Sequence, residues 1–208
     1  MFKEFIMWFS YGPLARFVNF VFVKEVKGIK NIPDRGFILA SNHSSYLDIP
    51  ALSSTLVICK KRRIRYIAKK ELFYNPIMRN ILEAGRIIPV DKEKPGKEVF
   101  EEAISSLRNG DIIGIYPEGG RSLTGKIQKG KTGVARLALW SKAPVVPVGI
   151  KGTFELMPKG KTIPKFKKEV IVNIGKPLYF TNYYKKTITK KLLRIVTGEI
   201  MGKIAELS

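Results

Sequence analysis

The sequence predicts an α/β fold: a mixed, largely parallel sheet flanked by helices, preceded by an apolar helical segment that associates with a membrane. Three observations carry this reading. Six short apolar runs alternate with helical patterns, polar clusters follow directly on several of those runs, and the first 23 residues differ in composition from the rest. Strand alternating with helix is the pattern of a sheet packed on both faces. A length of 208 residues suits one domain with a sizeable core, and 45% hydrophobic residues excludes a disordered polyelectrolyte.

The opening stretch, "MFKEFIMWFSYGPLARFVNFVFV", is rich in aromatic residues and carries charge only at Lys3, Glu4 and Arg16. Pro13 and Arg16 in its middle argue against a spanning helix. No small-residue cleavage site follows, which argues against a signal peptide. Gly12-Pro13 divides it into two short apolar helices in the membrane interface, with Trp8 and Tyr11 at headgroup depth. The alternative is a helix packed on the protein's own core. Residues 1–24 are thus expected to form a membrane-interface segment and residues 25–208 the domain proper.

Within that domain the strand candidates are "GFILAS" (36–41), "IRYIA" (64–68), "RIIPV" (86–90), "DIIGIY" (111–116), "APVVPVGI" (143–150) and "EVIVNIG" (169–175). "GKEVFEEAISSLRNG" places Val99, Phe100, Ala103, Ile104 and Leu107 on one helical face and stops at Gly110. "TGVARLALW" and the final "KKLLRIVTGEIMGKIAEL" also read as helices. In open α/β sheets, sites gather beyond the carboxyl ends of the strands. His43 follows "GFILAS", "PEGGRS" (117–122) follows "DIIGIY", and "DK" (91–92) follows "RIIPV". Parallel strands would bring these three polar clusters to one edge.

His43 is the only histidine, and Asp48 stands five positions later. An imidazole oriented by a carboxylate can take a proton near neutral pH. Residues five apart do not stack on a regular helix, so the pair requires His43 in a loop and Asp48 in a first helical turn. Ser45-Tyr46-Leu47-Asp48 fits such a start, a hydroxyl followed three residues later by a carboxylate. Asp48 as a mere helix cap is the plainer alternative, and the two are compatible. No second histidine or cysteine cluster accompanies the pair, so no metal site is expected.

The formal net charge of +21 implies an anionic partner: nucleic acid, an anionic bilayer or a phosphate-bearing substrate. Runs such as "CKKRRIRY" and "KFKK" would suit nucleic acid, but no reader motif accompanies them. Excess lysine beside an aromatic N-terminus suits an anionic bilayer. The lone Cys59 forbids an internal disulfide, fits a reducing compartment, and reads as a buried inert thiol within "LVICK". "GKIQKGKT" (125–132) satisfies the phosphate-loop pattern, but "RSLT" separates it from any strand, so the match reads as accidental. A serine hydrolase lacks its G-x-S-x-G elbow.

"NHSSYLD" with "YPEGGRS" resembles the first and third blocks of the glycerolipid acyltransferases, best matching the 1-acylglycerol-3-phosphate acyltransferases. "KKELFYNPIMRNILEAGRIIPVDK" and "VVPVGI" are similar to that family's second and fourth blocks, in order, within residues 25–177. The resemblance implies acyl transfer from a thioester of coenzyme A or acyl-carrier protein to the free hydroxyl of 1-acylglycerol-3-phosphate, giving phosphatidic acid in phospholipid synthesis, with no cofactor; another lysolipid or glycerol-3-phosphate is the alternative acceptor. It implies that His43 takes the hydroxyl proton, that Asp48 orients the ring, and that Lys69 with backbone N–H groups meets charge on the carbonyl oxygen. Arg121, Lys92 and Arg86 would hold the acceptor phosphate, Glu118 would position Arg121, and Gly119 would support the same turn. Pro147 would shape the site. It further implies a peripheral or monotopic protein on the cytoplasmic membrane face, with lipid and donor as partners and no nucleic acid. Oligomeric state stays open. Two positions depart from the family pattern: Gly120 stands where threonine is usual, and Lys92 where arginine is common, which keeps the charge but loses the bidentate fork.

Overall fold

A computed structural model describes residues 12–91 and 96–208. The first of the two expected apolar helices, with Trp8 and Tyr11, lies outside the described residues, as does Lys92. The second is present as α1 (Pro13–Phe22), opened by a proline whose missing N–H costs nothing there. Its Ala15, Val18 and Phe22 are buried against the domain, while Phe17 and Phe20 are exposed on the other side. One face of this helix therefore packs on the protein's own core and the other stays open.

The chain continues through β1 (Val23–Lys27), β2 (Phe37–Ser41), α2 (Asp48–Lys60), β3 (Ile64–Lys69), α3 (Pro76–Ala84), β4 (Ile88–Val90) and α4 (Lys97–Arg108). It ends with β5 (Ile112–Ile115), α5 (Gly133–Ser141), β6 (Val145–Lys151), α6 (Thr153–Leu156), β7 (Val170–Ile174) and α7 (Lys190–Leu207). The seven strands form one sheet in the order β1-β7-β6-β2-β5-β3-β4. From β6 to β4 every pairing is parallel. β7 runs antiparallel to β6, and β1 parallel to β7, so the last two strands are reversed.

All six expected strands are present. β1 is the addition: its "VKEVK" looks like polar surface, and it is an edge strand whose charged side chains stay in solvent. β2 lies at the centre and is buried at every residue, as a parallel strand covered on both faces must be. Phe37 and Leu39 face a core shared with α1 and α2. Ile38 and Ala40 face a second core built with α4, α5 and α7. Ala103 and Leu107 of α4 are buried there, with Val99, Phe100 and Ile104 packed partly against them. Cys59 corrects the sequence reading: it is exposed near the end of α2, on the side of the helix turned from the core.

Past the end of β2, buried Asn42 extends the pairing with β6 through its side chain. Its Nδ2 donates to the Ile150 carbonyl at 2.9 Å, and its Oδ1 accepts from the Ile150 N–H at 2.8 Å. The amide thus copies a strand's hydrogen-bonding pattern and fixes where the next residue, His43, leaves the sheet. Asn42→Ala should leave both Ile150 groups buried without partners, at about 1–3 kcal/mol for each. The expected result is a clear fall in the urea unfolding midpoint; an unchanged midpoint would show that the loop is held without this clamp.

Candidate active site

The parallel strands bring their carboxyl ends to one edge. There β2 delivers His43, β5 delivers Pro117–Ser122, β3 ends on Lys69, and Asp91 follows β4. His43 Nδ1 lies 2.8 Å from Asp48 Oδ2, and the Asp48 side chain is wholly buried. The same oxygen accepts the backbone N–H groups of Ser44 at 2.8 Å and Ser45 at 2.9 Å. Asp48 opens α2, so its negative charge also sits at the positive end of a helix dipole. Ser45 Oγ accepts from the Leu47 N–H two residues on, a hydroxyl turn before the helix in place of the expected cap, and Asp48 reaches back to the Ser45 N–H. A carboxylate oxygen surrounded by donors has no proton to give, so Nδ1 donates. The Nε2 lone pair is then free, and no described residue bonds to it.

An aromatic stack lies against the imidazole. The Tyr116 ring is 4.0 Å from it at 17°, and Tyr66 stacks on Tyr116 at 5.8 Å. Burial, then the neighbouring Tyr66 and Asp48, push the Tyr116 phenol well above its ordinary range. It therefore stays neutral and acts as a flat wall.

Glu118 has a different role from the one the sequence predicts. It makes no ion pair with Arg121. Its Oε1 accepts the His43 N–H at 2.8 Å and its Oε2 accepts the Gln128 N–H at 2.9 Å. The Ser122 N–H donates to the His43 carbonyl at 2.8 Å, so the loop after β5 grips the histidine backbone on both sides. Burial raises the Glu118 carboxyl above its ordinary value, and the two backbone N–H bonds oppose that rise. Gly119 takes a left-handed φ of 75° in the turn, where a Cβ would stand 3.0 Å from the Lys131 stem. The phosphate-loop match dissolves here. The Gln128 N–H goes to Glu118 and the Lys131 N–H to the Pro117 carbonyl at 2.8 Å, so these amides are spent within the protein.

The cations divide. The Arg121 guanidinium lies over the Tyr46 ring, 3.3 Å from its centroid, and its Nη1 is buried without a hydrogen-bond partner. A buried donor without an acceptor is costly, and an anion at this edge would satisfy it. Lys69 stands exposed at the end of β3, and the next residue, Lys70, pairs with Asp91 at 2.6 Å. Arg86 is not brought to the site. Arg86 precedes β4, which runs toward the site, so it sits in a left-handed turn at the amino edge, its guanidinium 3.9 Å from Asp111. Tyr46 and Tyr116 were not singled out by the sequence reading, because an aromatic between polar residues gives no sign of the ring or cation it will meet. Pro147 of β6 pairs with Ala40 and its carbonyl accepts from Gly175, so it shapes the sheet beside the site.

An apolar groove of about 280 Å³ runs between α1, α2, α3 and β3, lined by Leu14, Val18, Ile49, Val57, Tyr66 and Ile81. Tyr66 on its wall belongs to the stack that runs through Tyr116 to His43.

A protein-family model described as acyltransferase matches residues 10–151. A 1-acyl-sn-glycerol-3-phosphate acyltransferase of Bacillus subtilis is 33% identical over 184 residues, covering 88% of this chain and 87% of that one. A chloroplastic 1-acyl-sn-glycerol-3-phosphate acyltransferase of Arabidopsis thaliana is 28% identical; the match covers 88% of this chain and 48% of that protein. The crystal structure of a 1-acyl-sn-glycerophosphate acyltransferase from Thermotoga maritima superposes with a TM-score of 0.71 at 28% identity, covering 98% of this chain and 80% of that one.

Glu118→Gln tests the backbone grip. The amide can satisfy one N–H but turns its own donors toward the other. The folded variant should unfold at lower urea, and its His43 ring resonances should shift, whereas Arg121→Ala should leave both nearly unchanged. Equal effects from the two substitutions would restore an ion-pair role for Glu118.

Proposed function

The chain belongs to the acyltransferase family, and on that premise we propose that it transfers a fatty acyl chain from a thioester to the free hydroxyl of 1-acylglycerol-3-phosphate, giving phosphatidic acid. The observation that carries this reading is the buried Asp48 carboxylate holding His43 Nδ1, which leaves Nε2 free, at the sheet edge whose β5 loop also carries an unpartnered arginine donor. In this scheme Nε2 accepts the hydroxyl proton as the hydroxyl oxygen attacks the thioester carbonyl carbon. Collapse of the tetrahedral species breaks the C–S bond, and the imidazolium returns its proton to the departing thiolate. Asp48 offsets the charge on the ring while it carries that proton. Lys69 and backbone N–H groups of the edge supply donors to the carbonyl oxygen.

The acceptor phosphate belongs on Arg121, with Lys92 as its second cation; Arg86, at the far edge, has no part in it. A phosphate anchored there holds the glycerol hydroxyl near Nε2, so that binding energy becomes orientation. The apolar groove suits an acyl chain. Coenzyme A or acyl-carrier protein brings the donor, and no resident cofactor has a step in this chemistry. Among the described residues no helix is long and apolar enough to cross a membrane. Residues 1–24 contribute to attachment at the cytoplasmic membrane face in this reading, and the exposed Phe17 and Phe20 on the outer side of α1 support it.

His43→Ala should lower transfer by about 10²–10⁴-fold while leaving the unfolding midpoint near that of the unaltered protein. Near-normal turnover by that variant would end the mechanism. Lysophosphatidate should outcompete monoacylglycerol at equal concentration, because charge-assisted contacts are worth about 1.5–3 kcal/mol each. Arg121→Ala should erase most of that preference. Equal use of the two acceptors by the unaltered enzyme would refute the phosphate assignment and leave the histidine pair intact.

A further inference from the structure

Between α6 and β7 the chain reads "MPKGKTIPKFKKE" (157–169), with lysines at 159, 161, 165, 167 and 168 and a single acid, Glu169. All five lysines are exposed. So are the two large apolar side chains among them, Ile163 at 74% and Phe166 at 64%. The loop does not stand apart from the body. The Phe166 ring lies 5.7 Å from Phe22 of α1, and Lys168 Nζ lies 5.5 Å from the centroid of Phe20, itself 75% exposed. The loop thus meets α1 through Phe166 and Lys168, with exposed Phe17 about one turn before Phe20 on the helix and exposed Ile163 three residues before Phe166 in the loop.

Large apolar side chains gathered in the open mark an interaction surface. Lysines among them select its partner, because an ammonium group can stay at a charged headgroup while its stem and a neighbouring ring enter the apolar layer. Among the described residues the only ion pair in the loop joins Lys167 to Glu169 at 3.9 Å, so most of the positive charge is uncompensated. We propose that loop 157–169, together with the outer face of α1, docks the protein on a bilayer containing anionic phospholipid.

The loop is also connected to the chemistry. At its base the Met157 carbonyl accepts from Ser45 Oγ at 2.7 Å, and Thr153 Oγ1 lies 3.3 Å from Ser44 Oγ. Ser44 and Ser45 are the residues whose N–H groups hold Asp48. A bilayer gripped by the loop would therefore sit at a set height relative to His43. The use of this surface rests on the acceptor being a membrane lipid, but its binding does not.

The test uses the full chain with two kinds of vesicle, phosphatidylcholine alone and phosphatidylcholine with phosphatidylglycerol, at low and high salt. The first variant is Lys165→Glu with Lys167→Glu and Lys168→Glu; the second is Ile163→Ser with Phe166→Ser. Thermal unfolding and transfer to a short-chain acceptor free in solution check that each variant is intact. One lysine at an anionic surface is worth about fivefold in binding, so losing three should cost roughly a hundredfold, and the three added glutamates should deepen that loss, on anionic vesicles at low salt only. The apolar pair should lose binding on both vesicle types and at both salt levels. Unchanged vesicle binding by intact forms of both variants would overturn the proposal, since attachment would then rest on residues 1–11 or elsewhere. Normal vesicle binding with turnover lost only for a carrier-protein donor would also overturn it and assign the surface to that acidic protein. Loop-dependent vesicle binding by a chain without transfer activity would instead remove the enzymatic reading and leave this one standing.

Discussion

A carboxylate with no exposure to solvent sets the terms for the edge that carries His43. Asp48 can lie there only because donors surround one of its oxygens: two backbone N–H groups, the imidazole and the start of α2. That requirement dictates the path of the chain from Ser41 to Asp48. The backbone must turn so that successive N–H groups point inward, and the histidine ring must lie where its Nδ1 can join them. The orientation of His43 follows from the burial of its partner.

Two acids divide the work of holding this histidine. Asp48 fixes the ring, while Glu118 fixes the backbone from the neighbouring strand end. Because Glu118 spends both oxygens on N–H groups, it leaves Arg121 with no anionic partner among the described residues. The edge therefore combines an oriented imidazole with a positive charge that no described carboxylate offsets. An ion pair in that place would have cancelled it.

The strands were legible where they are buried on both faces, since such strands are nearly continuous apolar runs; β1 was hidden because an edge strand can carry charges. The histidine and aspartate were legible as a pair because their spacing makes sense in one arrangement only. Glu118 was misread because a carboxylate bound to backbone N–H groups leaves no partner residue to find. Arg86 precedes a strand that runs toward the site, so parallel pairing puts it at the opposite edge whether that strand opens at Arg86 or at Ile88; the resemblance, not the strand pattern, suggests it as a phosphate ligand. Cys59 shows the limit of reading burial from an apolar run, because a helix turns every residue by about 100° and even a run such as "LVICK" reaches the solvent side.

The contact between Arg121 and Tyr46 has a kinetic consequence. A side chain as long as arginine needs something to rest against if it is to wait in one place. An acid would serve, but an arriving anion would have to displace it, and the departing anion would have to compete with it again. The face of a phenol ring steadies the guanidinium by its quadrupole without occupying the fork of N–H groups along its rim. In the proposed reading, an arginine steadied by a ring and not by an acid would take up and release an anionic group with no internal ion pair to break first.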